Sequence, residues 1–214
     1  MKKLVLYSDQ IPSTSERIDN ELVTLLGKSN PIIGYIPSRA DPQRKYYKER
    51  QEYYSRLSMD FEVYFELDED YHSDLLESLL SCDAIHLSGG NTYYFLYWLR
   101  KREMLPVLCQ YVNQGGILIG VSAGSILMGP NISICHLYYD EPIELETDFS
   151  ALNLVGFTFV PHYGDREMSP SLRALQEYSR NNQIVVYACR DSGGIVVTED
   201  NVNCIGDVVK VDER

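Results

Sequence analysis

Along most of this chain, short apolar runs of four or five residues, bounded by Gly, Pro, Asn or Ser, alternate with longer segments of helical period. That alternation is the pattern of βαβ units. It predicts an α/β fold: a doubly wound, mostly parallel sheet with helices on both faces. The expected strands are Lys3–Tyr7, Ile32–Ile36, Phe61–Phe65, Ala84–Leu87, Ile117–Val121, Phe157–Val160 and Ile184–Ala188. Helices are expected over Ser15–Leu26, with a Ser/Thr cap and a stop at Gly27, and over Pro42–Leu57, Ser73–Leu80, Thr92–Arg102, Pro106–Asn113 and Pro170–Arg180. Gly194–Thr198, Val202–Ile205 and Val208–Val211 read as a terminal antiparallel set with turns at Glu199-Asp200-Asn201 and Gly206-Asp207. The chain has 214 residues, 44% of them hydrophobic, and neither linker nor repeat, so residues 1–214 are expected to form one domain.

Charge narrows the partners. A net charge of −12 with no basic block sets the protein's own field against a phosphate backbone, so nucleic acid is not expected as a partner. No apolar run approaches the ~20 residues that span a bilayer. The basic start, Met1-Lys2-Lys3, leads into an apolar stretch that ends at Tyr7 with no small-residue cleavage site, so a cytoplasmic protein without a membrane partner is expected. Cys82, Cys109, Cys135, Cys189 and Cys204 are odd in number and widely spaced, and no CxxC pair or Cys/His cluster forms among them. They read mostly as buried thiols, Cys109 and Cys189 above all, and neither a metal nor a cofactor is expected.

The sharpest motif is Gly120-Val121-Ser122-Ala123-Gly124, between a strand-like and a helix-like run. A G-x-S-x-G elbow in that context lifts the serine hydroxyl above the carboxyl edge of the sheet. Small neighbours let a carbonyl approach, and the following helix N-terminus favours developing negative charge. A hydroxyl needs a base. Of four histidines, His86 lies inside a strand, His72 starts a helix beside acidic residues and His136 sits in an irregular loop. His162 follows Phe157–Val160 at a strand's carboxyl end, where open α/β folds build their sites, and is the expected base. Asp191, in the loop after Ile184–Ala188, is the expected carboxylate that orients it. Asp140, standing near Glu141, Glu144 and Glu146, is the alternative. The order Ser122, His162, Asp191 departs from the Ser, Asp/Glu, His order of α/β-hydrolases, and 92 residues after the serine leave little room for that fold.

Ser88-Gly89-Gly90-Asn91-Thr92 closes another expected strand and opens a helix. The N–H groups of Gly90 and Ala123 are the expected oxyanion donors. Asn91 reads either as a substrate contact or as a helix cap. The glycine spacing is not that of a dinucleotide loop.

Together, SGGNTYYF, GVSAGSILMGP, the Asp-Glu-Pro-Ile segment and PHYGD resemble the peptidase E family, which includes aspartyl dipeptidase and, more distantly, cyanophycinase. Asn91 and Ser122 lie 31 residues apart, as that family has them. The resemblance implies a fold like the class I glutamine amidotransferases (flavodoxin-like), with serine in place of their cysteine. It carries the nucleophile onto Ser122, the base onto His162 and the oxyanion donors onto Gly90 and Ala123. Aspartyl dipeptidase is similar at the third position with a glutamate in a Pro-Glu-Gly loop, where this chain has Arg190-Asp191-Ser192; Asp140 matches another acidic position tied to the family's activity. The arginine expected to hold an acidic substrate side chain aligns with Pro170, leaving Arg166 and Arg173 as substitutes, so a preference for N-terminal aspartate is not carried over. Arg39–Arg56, with Tyr46, Tyr47, Tyr53 and Tyr54 at helical spacing, either lines the cleft or buries its tyrosines.

The expectation is a cytoplasmic serine peptidase of the dipeptidase or exopeptidase class, metal-independent, monomeric or homodimeric, acting on short peptides. A non-catalytic ligand-binding member of the same fold and an amidohydrolase or acyl-transfer enzyme on a non-peptide substrate are the alternatives.

Overall fold

Branched apolar side chains on adjacent positions of one strand point to opposite faces, and here both faces are buried. In a computed structural model of the chain, Leu4 and Leu6 of the first strand enter one apolar cluster while Val5 and Tyr7 enter another. Leu118 is divided in the same way from Ile117, Ile119 and Val121. Two cores on two faces are what a doubly wound sheet requires. The structure describes residues 1–68, 72–137, 141–143, 148–166 and 169–214.

The elements in chain order are β1 (Lys3–Tyr7), α1 (Glu16–Leu26), β2 (Ile32–Ile36), α2 (Lys45–Ser55), β3 (Asp60–Tyr64), α3 (Ser73–Leu80), β4 (Ala84–Leu87), α4 (Thr92–Lys101), α5 (Met104–Asn113), β5 (Ile117–Val121) and α6 (Ala123–Ile126). A 3₁₀ turn over Ser133–Leu137 follows, then β6 (Phe157–Val160), α7 (Leu172–Asn182), β7 (Val185–Cys189), β8 (Gly194–Thr198), β9 (Asn201–Ile205) and β10 (Val208–Val211). Seven strands form one sheet in the order β3-β2-β4-β5-β1-β8-β9, parallel from β3 to β1 and antiparallel beyond it. Three more form a second sheet, β10-β7-β6.

Two expectations need correction. The last three strands are not one antiparallel set: β8 and β9 form a hairpin on the large sheet, but β10 pairs with β7 in the small one. Alternation identifies a strand without identifying its partner. The turn at Gly206-Asp207 carries the chain across, and the Asp207 carbonyl accepts from the Arg190 amide at 3.1 Å. Ser15 sits at the cap position of α1 without capping it. Its hydroxyl instead accepts from the Ile11 amide and donates to the Asp9 carbonyl, closing the loop that leaves β1. The cap is absent because that loop uses the hydroxyl. Arg44 holds the cap position of α2, and the Asp41 carboxylate, reaching in from outside it, accepts from the amides of Lys45 and Tyr46; the helix starts three residues after the expected Pro42.

Among the described residues no helix is long and apolar enough to cross a membrane. Cys82, Cys135 and Cys189 are buried, Cys109 half-buried and Cys204 exposed, all as free thiols. Burial pushes the thiols of Cys82 (to about 11), Cys109 and Cys189 upward, which makes them packing groups rather than nucleophiles.

Candidate active site

The carboxyl ends of β1, β2, β4 and β5 open onto one side of the large sheet, the side on which open α/β sheets hold ligands. A cleft of about 490 Å³ lies there, with Ser122 and His162 in its wall. Ser122 has φ 51° and ψ −108°, a conformation that L residues rarely adopt and that surrounding bonds must hold. The Ser122 amide and the Ser125 hydroxyl both donate to the Tyr7 carbonyl at the end of β1, at 3.1 and 2.8 Å. The Gly124 amide donates to the Ser88 carbonyl at 3.1 Å.

The glycines of the elbow are also required by packing. A methyl group on Gly124 would lie 2.2 Å from the Leu87 carbonyl oxygen, and one on Gly120 would lie 2.6 Å from the Gly124 backbone. They let α6 seat directly on β4 and β5. Since α6 is a single turn of four residues, its dipole is small.

His162 Nε2 lies 2.8 Å from Ser122 Oγ, and His162 Nδ1 is hydrogen-bonded to Asp191 Oδ1. His162 is buried and has φ 57°. Its amide donates to Ser8 Oγ at 2.7 Å, and that hydroxyl donates to the Cys189 carbonyl at 3.1 Å. Ser8 thus ties the end of β1 to the ends of β6 and β7, joining the two sheets beneath the imidazole. Asp191 is held by its own amide, which donates to Asp165 Oδ2 at 2.7 Å; Asp165 also pairs with Arg190. Ser8 and Asp165 were not read from the sequence. Ser8 lies 154 residues from His162, and nothing local marks such a tie.

Among the described residues, neither the Gly90 nor the Ala123 amide donates to a protein acceptor. Gly90 has φ +137°, and a methyl group there would fall 2.1 Å from Ser38 Oγ. The loop is fixed by Ser88 Oγ, which accepts from the Ser38 amide at 2.7 Å, and by Ser38 Oγ, which donates to the Gly89 carbonyl at 2.8 Å. Asn91 borders the cleft as the cap of α4. Its Oδ1 accepts from the Tyr94 amide at 2.8 Å and its Nδ2 donates to the Glu141 carbonyl at 3.0 Å, so it caps the helix, and its place in the cleft wall with a second Nδ2 hydrogen leaves the substrate-contact reading standing beside the cap.

Of the two substitute arginines, Arg166 lines the cleft, whereas Arg173 is exposed on α7 and pairs with Glu177 away from it. Asp140, Glu144 and Glu146 lie outside the described residues. The tyrosines of α2 divide: Tyr47, Tyr53 and Tyr54 are buried, while Tyr46 is exposed beside Glu49 and Arg50 in the cleft wall. Arg50 donates to the Gln10 carbonyl at 3.0 Å, and Gln10 Nε2 donates to the Tyr54 hydroxyl at 3.0 Å. That leaves the Tyr54 proton free to point at His86 Nδ1, 2.8 Å away.

His86 is therefore a neutral, satisfied group in the cleft floor and not a second base. Burial first and the Arg50 charge second hold its pKa well below 6.5. Below about pH 6.5 the unfolded chain takes up a proton that folded His86 refuses, so this group's contribution to stability falls as pH falls, by about 1.4 kcal/mol per unit. Urea unfolding of the native protein and His86→Asn between pH 5 and 8 is expected to show the native slope steeper below pH 6.5 by that amount.

The model for peptidase family S51 matches residues 4–205. An uncharacterised peptidase of Pasteurella multocida (strain Pm70) is 34% identical over 94 residues, 42% of this chain and 44% of that protein. An uncharacterised peptidase of Listeria innocua is 28% identical over 172 residues, 77% of this chain and 78% of that one. A peptidase E of Nostoc sp. is 29% identical over 167 residues, 76% and 66% of the two chains. The first of these matches spans less than half of its relative's length. The crystal structure of a peptidase from an acI-B1 Actinobacterium superposes with a TM-score of 0.74 at 17% identity over 100% of this chain and 92% of that one, which shows a shared fold.

Proposed function

The chain belongs to peptidase family S51, a family of serine peptidases, and on that premise we propose that it hydrolyses short peptides with Ser122 as nucleophile. His162 takes the Ser122 proton as Oγ attacks the scissile carbonyl, then gives it to the leaving amine. Asp191 fixes the imidazole with its proton on Nδ1 and stabilises the imidazolium that forms. The Gly90 and Ala123 amides receive the tetrahedral oxyanion. Water then repeats the sequence on the acyl-enzyme. The observation that carries this reading is the 2.8 Å approach of Ser122 Oγ to His162 Nε2, with Asp191 on the other ring nitrogen. Five free thiols fit a reducing compartment, so the site of action is taken as the cytoplasm. Arg166 is the cleft arginine assigned to a substrate carboxylate.

A fluorophosphonate reagent tests the mechanism without knowledge of the substrate. Intact-mass measurement is expected to show one adduct, mapping to Ser122, and none in Ser122→Ala. Folded protein that stays unlabelled would overturn the mechanism.

A further inference from the structure

A third carboxylate shares the imidazole's corner of the cleft. Asp9, in the loop closed by Ser15 just past β1, places a carboxylate oxygen within 4.8 Å of both a His162 ring nitrogen and an Asp191 carboxylate oxygen. Two like charges at that range disfavour each other unless a cation lies between them. No Lys or Arg is ion-paired with either: Asp9 accepts from the Gln10 amide at 2.8 Å, Asp191 binds His162, and among the described residues the cleft arginines Arg39, Arg50 and Arg166 pair with neither. Arg190, the nearest cation in sequence to Asp191, is taken by Asp165. The cleft is open to solvent, and a chain of net charge −12 concentrates cations around it.

One imidazole nitrogen with two carboxylate oxygens is the donor set of a first-row transition metal, and three protein ligands with an open fourth position is a common zinc arrangement. We propose that Asp9, His162 and Asp191 form an inhibitory site for a divalent transition metal, Zn²⁺ being the probe of choice. Metal–ligand bonds of about 2.0–2.1 Å put tetrahedral ligand atoms roughly 3.3 Å apart, so binding at Nδ1 parts the hydrogen-bonded His162 and Asp191 slightly, while Asp9, within 4.8 Å of both, closes by at most about 1.5 Å. The ring, its backbone anchor at Ser8 and both carboxylates already share this corner of the cleft.

Inhibition follows from the ring whichever nitrogen binds. Metal on Nδ1 displaces the Asp191 hydrogen bond and leaves the ring proton on Nε2, which then has no lone pair to accept the proton of Ser122. Metal on Nε2 takes the lone pair that would receive that proton. Either way the ion occupies the base without taking part in the hydrolytic step. The proposal concerns the same corner as the hydrolytic reading and rests on that reading for the word inhibitory, while the site itself does not.

The test separates the two. Calorimetric titration of Zn²⁺ into chelator-stripped Ser122→Ala protein, which lacks the nucleophile but keeps all three ligands, is expected to show one site per chain, with affinity reduced at least about tenfold by adding Asp9→Asn. X-ray absorption at the zinc edge is expected to show one imidazole nitrogen, with oxygen ligands at about 2.0–2.1 Å. In protein with Ser122, Zn²⁺ is expected to slow fluorophosphonate labelling, EDTA to restore it, and Asp9→Asn to remove the sensitivity. No stoichiometric binding, a sulfur-rich ligand shell or an affinity indifferent to Asp9→Asn would overturn the site. Failure of Ser122 to label in metal-free protein would instead overturn the hydrolytic mechanism, and the calorimetry would still decide the metal site.

Discussion

Replacing His162 with asparagine is expected to lower turnover by about 10⁶-fold while leaving the protein folded. Asparagine is among the few residues that accept a left-handed backbone, so φ 57° at this position is tolerated and the hydrogen bond from the backbone N–H to Ser8 Oγ is retained. What disappears is the acceptor 2.8 Å from Ser122 Oγ. Asp191→Asn removes the carboxylate that keeps the Nδ1 proton in place and is expected to cost about 10⁴-fold, because the ring then favours the tautomer that cannot take the serine proton. The two losses do not add. Once the base is gone its orientation is irrelevant, so the double variant should be no slower than His162→Asn alone, with the oxyanion donors supplying the residue of catalysis. Stopped-flow or discontinuous hydrolysis of an activated ester, beside a thermal melt, measures both quantities. A double variant a further 10⁴-fold slower would show that Asp191 acts on substrate and not through His162.

Much of this was legible in the chain because it is written locally. Strand runs such as Ala84–Leu87 and Ile117–Val121 carry their apolar pattern within five residues, and the structure keeps those bounds. The elbow declares itself in five consecutive positions. His162 and Asp191 could be named because each follows a strand, and a strand's carboxyl end is where an open sheet gathers chemistry. What could not be read depends on partners remote in sequence. The hydroxyl of Ser8 supports an imidazole 154 residues away, and that of Ser15 turns back to Asp9 instead of capping α1. The partner of β10 depends on a remote contact too: a valine-rich run satisfies either free edge, and the chain turns to β7, where the Arg190 amide donates to the Asp207 carbonyl. The packing role of the elbow glycines lies outside any five-residue window, since a methyl group on Gly124 would meet the Leu87 backbone and one on Gly120 the Gly124 backbone.

That last point yields the second large effect. Gly124→Ala is expected to destabilise the protein by about 3 kcal/mol or more, toward the upper end for an overpacked core. The added methyl would stand 2.2 Å from the Leu87 carbonyl oxygen and 2.8 Å from its carbonyl carbon, and a strand backbone has no rotamer by which to move aside. Relief requires α6 to lift from β4. Such a lift stretches the bond from the Gly124 amide to Ser88 and carries Ser122 away from an imidazole that Ser8 holds in place. A displacement near 1 Å costs about 10²-fold in rate, so labelling of Ser122 should slow by that factor even in the fraction that remains folded. Gly156→Ala is the matched control, because nothing lies within 4 Å of a methyl group there and its φ is not left-handed. Urea midpoints and labelling rates near native for Gly156→Ala, with both impaired for Gly124→Ala, would place the effect in the contact between elbow and strand. Equal behaviour of the two variants would mean that the elbow can rise freely, and that the 2.8 Å approach on which the hydrolytic reading depends is not enforced by packing.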